Sequence, residues 1–99
     1  MILEELYKII EDRKKNMPDK SYVSSLFRKG NDRIIQKVGE EATEVVIAAK
    51  NKDKERIISE VADLLFHILV ALSAFNISLN EVLTELEKRN RTKLKSEHK

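Results

Sequence analysis

The run Ile34-Ile35-Gln36-Lys37-Val38-Gly39-Glu40-Glu41-Ala42-Thr43-Glu44-Val45-Val46-Ile47-Ala48-Ala49-Lys50, then Asn51-Lys52-Asp53, then Lys54-Glu55-Arg56-Ile57-Ile58-Ser59-Glu60-Val61-Ala62-Asp63-Leu64-Leu65-Phe66-His67-Ile68-Leu69-Val70, decides the fold. Ile34, Ile35, Val38, Ala42, Val45, Val46 and Ala49 recur at three- and four-residue steps, which places them on one stripe of a helix. After the polar break, with Asp53 as N-cap, Ile57, Val61, Leu64, Ile68 and Leu72 begin a second stripe on a helix from Lys54 to about Phe75. Two long helices joined by so short a break turn back on each other. The result is a central antiparallel hairpin.

Working outward, Ile2, Leu3, Leu6, Ile9 and Ile10 predict a helix from Met1 to about Lys15, ended by the loop Asn16-Met17-Pro18-Asp19-Lys20. Ser21 caps a short helix from Tyr22 to about Arg28 that stops at Gly30, and Asn31 or Asp32 caps the first hairpin helix. Ser78 with Glu81 forms a capping box for a last helix to about Arg89. Two glycines and one proline in 99 residues leave too little turn punctuation for a sheet protein. The expectation is an all-α helical bundle of four to five helices in a single domain, 1–99, whose residues 89–99 form a basic, partly disordered tail.

Val61 to Phe75 is apolar on nearly every side, Phe66 and Val70 included, so it is expected to be buried all round. Four short helices cannot surround it. A homodimer or higher homo-oligomer is therefore expected to complete the bundle. At fifteen residues, with Asp63 and His67 inside, the segment reads as too short and too polar to span a bilayer.

Charged residues are 36% of the chain, yet 19 basic and 17 acidic side chains cancel to +2, which gives no footprint for a nucleic-acid partner. The absence of cysteine excludes disulfides and thiolate metal sites. The start Met1-Ile2-Leu3-Glu4-Glu5 lacks the basic and apolar regions of a secretory signal, so a cytoplasmic protein with no membrane partner is expected.

Chemistry is carried by carboxylates. Glu41 with Glu44, and Glu60 with Asp63, are i, i+3 pairs, each on one helix face. Across a hairpin that turns at Lys52, residues of equal height have index sums near twice 52, and both Glu44 with Glu60 and Glu41 with Asp63 meet that condition. Four acids then converge at one level. Unneutralised, each pair about 4 Å apart costs roughly 4 kcal/mol at an effective dielectric near 20, so a cation or protonation is required. An all-oxygen cluster suits Mg²⁺, with Mn²⁺ as a substitute, and Mg²⁺ usually also binds substrate phosphates. ExxE and ExxD pairs are also common on solvated helix faces, so either alone carries little.

Around the cluster, His67 lies one turn beyond Asp63, as its hydrogen-bond partner or as a satisfied core histidine. Lys37, one turn before Glu40 and Glu41, either pairs with them or contacts a phosphate. Gly39 in mid-helix costs about 1 kcal/mol relative to alanine, which predicts a close approach there by a helix or ligand.

Lys37 to Lys50 closely resembles the signature of the phosphoribosyl-ATP pyrophosphohydrolase family, within the MazG-like all-α NTP pyrophosphohydrolases. Glu60-Val61-Ala62-Asp63-Leu64-Leu65-Phe66-His67-Ile68-Leu69-Val70 is similar to its second motif, and Ser21-Tyr22 with Gly30 to the segment before the hairpin. The similarity spans about Pro18 to Arg89. It implies Mg²⁺-dependent hydrolysis of 1-(5-phosphoribosyl)-ATP to the AMP derivative and pyrophosphate, the second step of histidine biosynthesis, acting on a small-molecule nucleotide. It further implies Glu41, Glu44, Glu60 and Asp63 as metal ligands and Glu40 as an outer ligand or base. The resemblance also brings Ser21 and Tyr22 into the substrate site, where Val23 departs from the threonine that many members have. Glu40 and Glu44 are the two candidates for the base; Lys37, Arg33, Lys50 and Arg56 are candidates for the outer phosphates. The alternatives are a housecleaning nucleoside triphosphate pyrophosphohydrolase with the same acids, and a non-catalytic helical dimerisation module.

Overall fold

The structure is a computed structural model and describes residues 1–94. It consists of five α-helices, α1 (Ile2–Asn16), α2 (Tyr22–Lys29), α3 (Asn31–Lys50), α4 (Lys54–Ala74) and α5 (Leu79–Arg89), followed by one π-helical turn, Asn90–Leu94. No strand occurs among the described residues. Of the expected tail, residues 95–99 lie outside the described part.

Helices α3 and α4 are each ended by backbone geometry that uses a left-handed residue. Lys52, at φ 55°, lets Asp53 N donate to Ala48 O and Lys52 N to Ala49 O, which is the Schellman arrangement. Asn76, at φ 59°, does the same for α4, with Ile77 N donating to Leu72 O and Asn76 N to Ser73 O. Asp53 then starts α4, its side chain accepting from Arg56 N. Ser21 starts α2 by accepting from Ser24 N, and the Ser78–Glu81 capping box starts α5. The expected cap on α3 is corrected. The helix begins at Asn31 itself and Gly30 stands at the N-cap, without a side-chain cap, at φ 98° and ψ 172°, where a β-carbon is strained.

The core gathers at one end of the hairpin, from Ile10 of α1, Val23 and Leu26 of α2, Ile34 of α3, Leu69 and Val70 of α4 and Leu79 of α5. Polar pins hold α1 against α4: Lys14 Nζ donates to Ser73 O at 2.6 Å and to Asn76 Oδ1 at 2.9 Å, Tyr7 donates to Ile77 O at 2.6 Å, and Ser73 donates to Glu11. At the other end of the hairpin Ala48 is the one buried apolar side chain among the described residues.

That asymmetry bears on two expectations. Val61 to Phe75 is not enclosed by its own chain: Val61, Leu65 and Phe75 are exposed, as are Val46, Ile47 and Ile58 elsewhere on the hairpin. The segment reads as too short to span a bilayer, but the helix that carries it runs 21 residues, Lys54–Ala74, as expected, and by length and composition alone is long and apolar enough to cross a membrane. Its polar side chains argue for a core helix, because Arg56 reaches to α3 and His67 is buried among its neighbours.

Candidate metal centre

The antiparallel hairpin brings the two acidic motifs together as the index sums predict. Glu41 of α3 and Glu60 and Asp63 of α4 each offer a carboxylate oxygen within 4.8 Å of the others. The side chains of Glu41 and Glu60 are 12% and 16% exposed, so their charges sit where water screens them poorly. Three convergent carboxylates and no nitrogen or sulfur form a donor set that fits a hard, oxygen-seeking divalent ion.

Glu44 stands apart from those three. Its Oε2 is 3.2 Å from Arg56 Nη2, which is also 3.0 Å from Glu60 Oε2, so a guanidinium bridges the pair expected to face each other across a metal. Those contacts, the Glu60 hydrogen bond foremost, hold the Arg56 guanidinium above the ordinary arginine value. Lys37 makes the matching contact at the other end, its Nζ 3.1 Å from Glu41 Oε1, and that hydrogen bond raises its ammonium above the usual lysine range. Glu40 is half-exposed and pairs with Arg33 at 3.6 Å and Lys37 at 3.9 Å, outside the cluster. Arg33 is thus tied to Glu40, and Lys50 is exposed at the end of α3.

His67 is only 6% exposed and hydrogen-bonded at both nitrogens. Nδ1 lies 2.8 Å from the Asp63 carbonyl, and Nε2 lies 2.8 Å from the Tyr22 hydroxyl. A carbonyl can only accept, so Nδ1 carries a proton, and in the corresponding neutral tautomer Nε2 accepts the Tyr22 O–H. The histidine therefore touches Asp63 through its backbone, not its carboxylate. Tyr22 stacks on Phe66 and meets His67 edge-on, which docks α2 beside the carboxylate cluster. The Ser21 hydroxyl is committed to the α2 cap. Of the two expectations for Gly39, a neighbouring helix of the same chain is corrected: a β-carbon built there meets nothing within 4 Å, so no described element of this chain approaches it.

Sequence reasoning offers Arg56 as one of four cations for phosphate and misses its bridge. The signal is present, since Arg56 precedes Glu60 by one helical turn and lies level with Ala48, one turn from Glu44.

A family model described as phosphoribosyl-ATP pyrophosphohydrolase matches residues 3–90. The phosphoribosyl-ATP pyrophosphatase of Clostridium acetobutylicum is 52% identical over 89 residues, covering 90% of this chain and 81% of that protein. That of Geobacter sulfurreducens is 52% identical over 88 residues, 89% of this chain and 82% of the relative. The histidine biosynthesis bifunctional protein HisIE of Caldanaerobacter subterraneus subsp. tengcongensis is 53% identical over 88 residues, 89% of this chain and 43% of the longer protein.

Proposed function

The chain belongs to the phosphoribosyl-ATP pyrophosphohydrolase family, and on that premise we propose that it hydrolyses 1-(5-phosphoribosyl)-ATP to 1-(5-phosphoribosyl)-AMP and pyrophosphate, in the cytoplasm, as a step of histidine biosynthesis. The observation that carries the reading is the convergence of Glu41, Glu60 and Asp63, on a scaffold whose relatives are named for that reaction.

Glu41, Glu60 and Asp63, joined by Glu44 once Arg56 releases it, would hold Mg²⁺. When bound, the ion supplies charge neutralisation at phosphoryl oxygens and a more acidic water. The remaining work falls to side chains. Glu44, freed from Arg56, is one candidate to accept a proton from the attacking water, and Glu40 is the second. Lys37 and Arg33, already oriented by Glu40 and Glu41, supply positive charge to the outer phosphates. Tyr22, half exposed and fixed by His67, forms a wall of the nucleotide site with Ser21.

A second copy of the chain completes the bundle in this reading, covering Val46, Ile58, Val61 and Leu65. Support comes from size. A compact monomer of 11.5 kDa exposes about 5,800 Å² by area scaling, whereas this chain exposes 7282 Å².

The deciding experiment is pyrophosphate release from phosphoribosyl-ATP beside ATP and dUTP, with Mg²⁺ and then with EDTA. Mg²⁺-dependent release from phosphoribosyl-ATP alone is expected. Comparable release from ordinary nucleotides would overturn the substrate assignment, and no release from any would overturn the enzymatic one.

A further inference from the structure

One nitrogen of Arg56 occupies the gap between two acids on facing helices, 3.0 Å from Glu60 and 3.2 Å from Glu44. Lys37 sits likewise on Glu41. The four carboxylates and these two cations leave a formal charge of minus two, which one divalent ion would neutralise. Resting on the reading of Glu41, Glu44, Glu60 and Asp63 as a Mg²⁺ site, we propose that Arg56 is an exchangeable internal cation: it bridges Glu44 and Glu60 in the metal-free chain, gives up those oxygens when a divalent ion binds, and then pairs with a substrate phosphate.

Competition for the same lone pairs is the first ground. Mg²⁺ takes carboxylate oxygens at about 2.1 Å, and a guanidinium touching those oxygens would stand against a second positive charge in a partly screened site. Mobility is the second. The Arg56 side chain is 46% exposed and loses little burial on leaving, while its backbone stays fixed, because Arg56 N donates to the Asp53 cap at 3.2 Å. The guanidinium therefore moves on a short tether beside the acids. Phosphates commonly complete the coordination of Mg²⁺, and a guanidinium engages two phosphate oxygens at once. A released Arg56 is thus held where such an anion would lie.

The test is titration calorimetry on the full metal-free chain as wild type, Arg56→Gln and Arg56→Lys, first with Mn²⁺ alone and then with inorganic pyrophosphate at saturating Mn²⁺. Removing an exposed ion-pair competitor should tighten Mn²⁺ binding in Arg56→Gln by about two- to fivefold. Losing a charge-assisted phosphate contact should weaken pyrophosphate binding about tenfold. Arg56→Lys should fall between on both. Effects of opposite sign support the proposal, since a general loosening of the hairpin would weaken both ligands. Wild type that binds Mn²⁺, with Arg56→Gln binding it equally or less tightly, overturns the exchange alone. Unchanged pyrophosphate affinity overturns the phosphate role. Wild type that binds no Mn²⁺ overturns the metal-site reading and this inference with it.

Discussion

Asp63 shows how a single side chain can work against the fold and for the site. Its carboxylate lies within 4.8 Å of those of Glu41 and Glu60, and even in water-like surroundings each such pair costs about 1 kcal/mol. Asp63→Asn should therefore raise the metal-free Tm by a few degrees, roughly 3 °C or more for a chain of this size. Turnover should fall about a hundredfold, and the thermal stabilisation by Mg²⁺ should disappear. Calorimetry in EDTA and in Mg²⁺ checks both arms; a lower Tm in EDTA would mean that Asp63 is held by attractions the structure does not show. Tyr22→Phe probes the neighbouring pair. It leaves the buried Nε2 of His67 without a donor, at a cost of about 1 kcal/mol measurable by urea unfolding. At this scale the matched heights of Glu44 with Glu60 and Glu41 with Asp63 were legible, because a helix and a short turn fix them arithmetically. The directions of the carboxylates were not, since those depend on where Arg56 and Lys37 extend.

The positions of the helix ends were legible to within a residue or so, but the way an end is closed was legible only where a side chain makes the cap. Ser21, Asp53 and Ser78 each accept from the amide three residues on, as their residue types predict. Lys52 and Asn76 end α3 and α4 in the left-handed region, where glycine is the usual signal and is missing here. Gly39 signalled a close approach that no described helix of this chain makes. With nothing within 4 Å of an added methyl, Gly39→Ala should stabilise α3 by about 1 kcal/mol in urea unfolding; a loss would place a partner chain or ligand against that turn. For α5 the pH dependence has a definite sign. Hydrogen bonds from the Ser78 backbone and then its hydroxyl hold the Glu81 carboxyl below its ordinary value of 4.5. A depressed carboxylate adds stability above its unfolded pKa and loses it as pH falls through the lower folded value. Amide protection factors in the first turn of α5, taken against the intrinsic exchange rate at each pH, should therefore fall below about pH 4.5 in wild type, and Glu81→Gln should remove that dependence.

At the scale of the whole molecule the chain is long and thin, 52 × 33 × 24 Å, with a radius of gyration of 15.6 Å, where a compact domain of this length has about 13 Å. The all-α class and the helix order were legible, because 3.6-residue periodicity and the scarcity of glycine and proline constrain them together. What covers α4 was legible only as a deficit: too few helices in one chain for so apolar a segment. Leu65→Lys puts a charge in the middle of the exposed face. If a second copy covers it, light scattering at micromolar concentration should show wild-type dimers or larger assemblies and monomeric Leu65→Lys with unchanged helicity. Monomeric wild type would remove the shared bundle.

The three-residue turn that closes the hairpin has a kinetic corollary. All four acids lie between residues 41 and 63, so their meeting depends on one short loop and not on α1, α2 or α5. Short loops close at least entropic cost and local contacts form early, so this hairpin belongs to the first events of folding. Those events must push like charges together before distant helices can add compensating burial. The speed at which the chain folds, as well as its final stability, should rise with ionic strength and rise further with divalent ions.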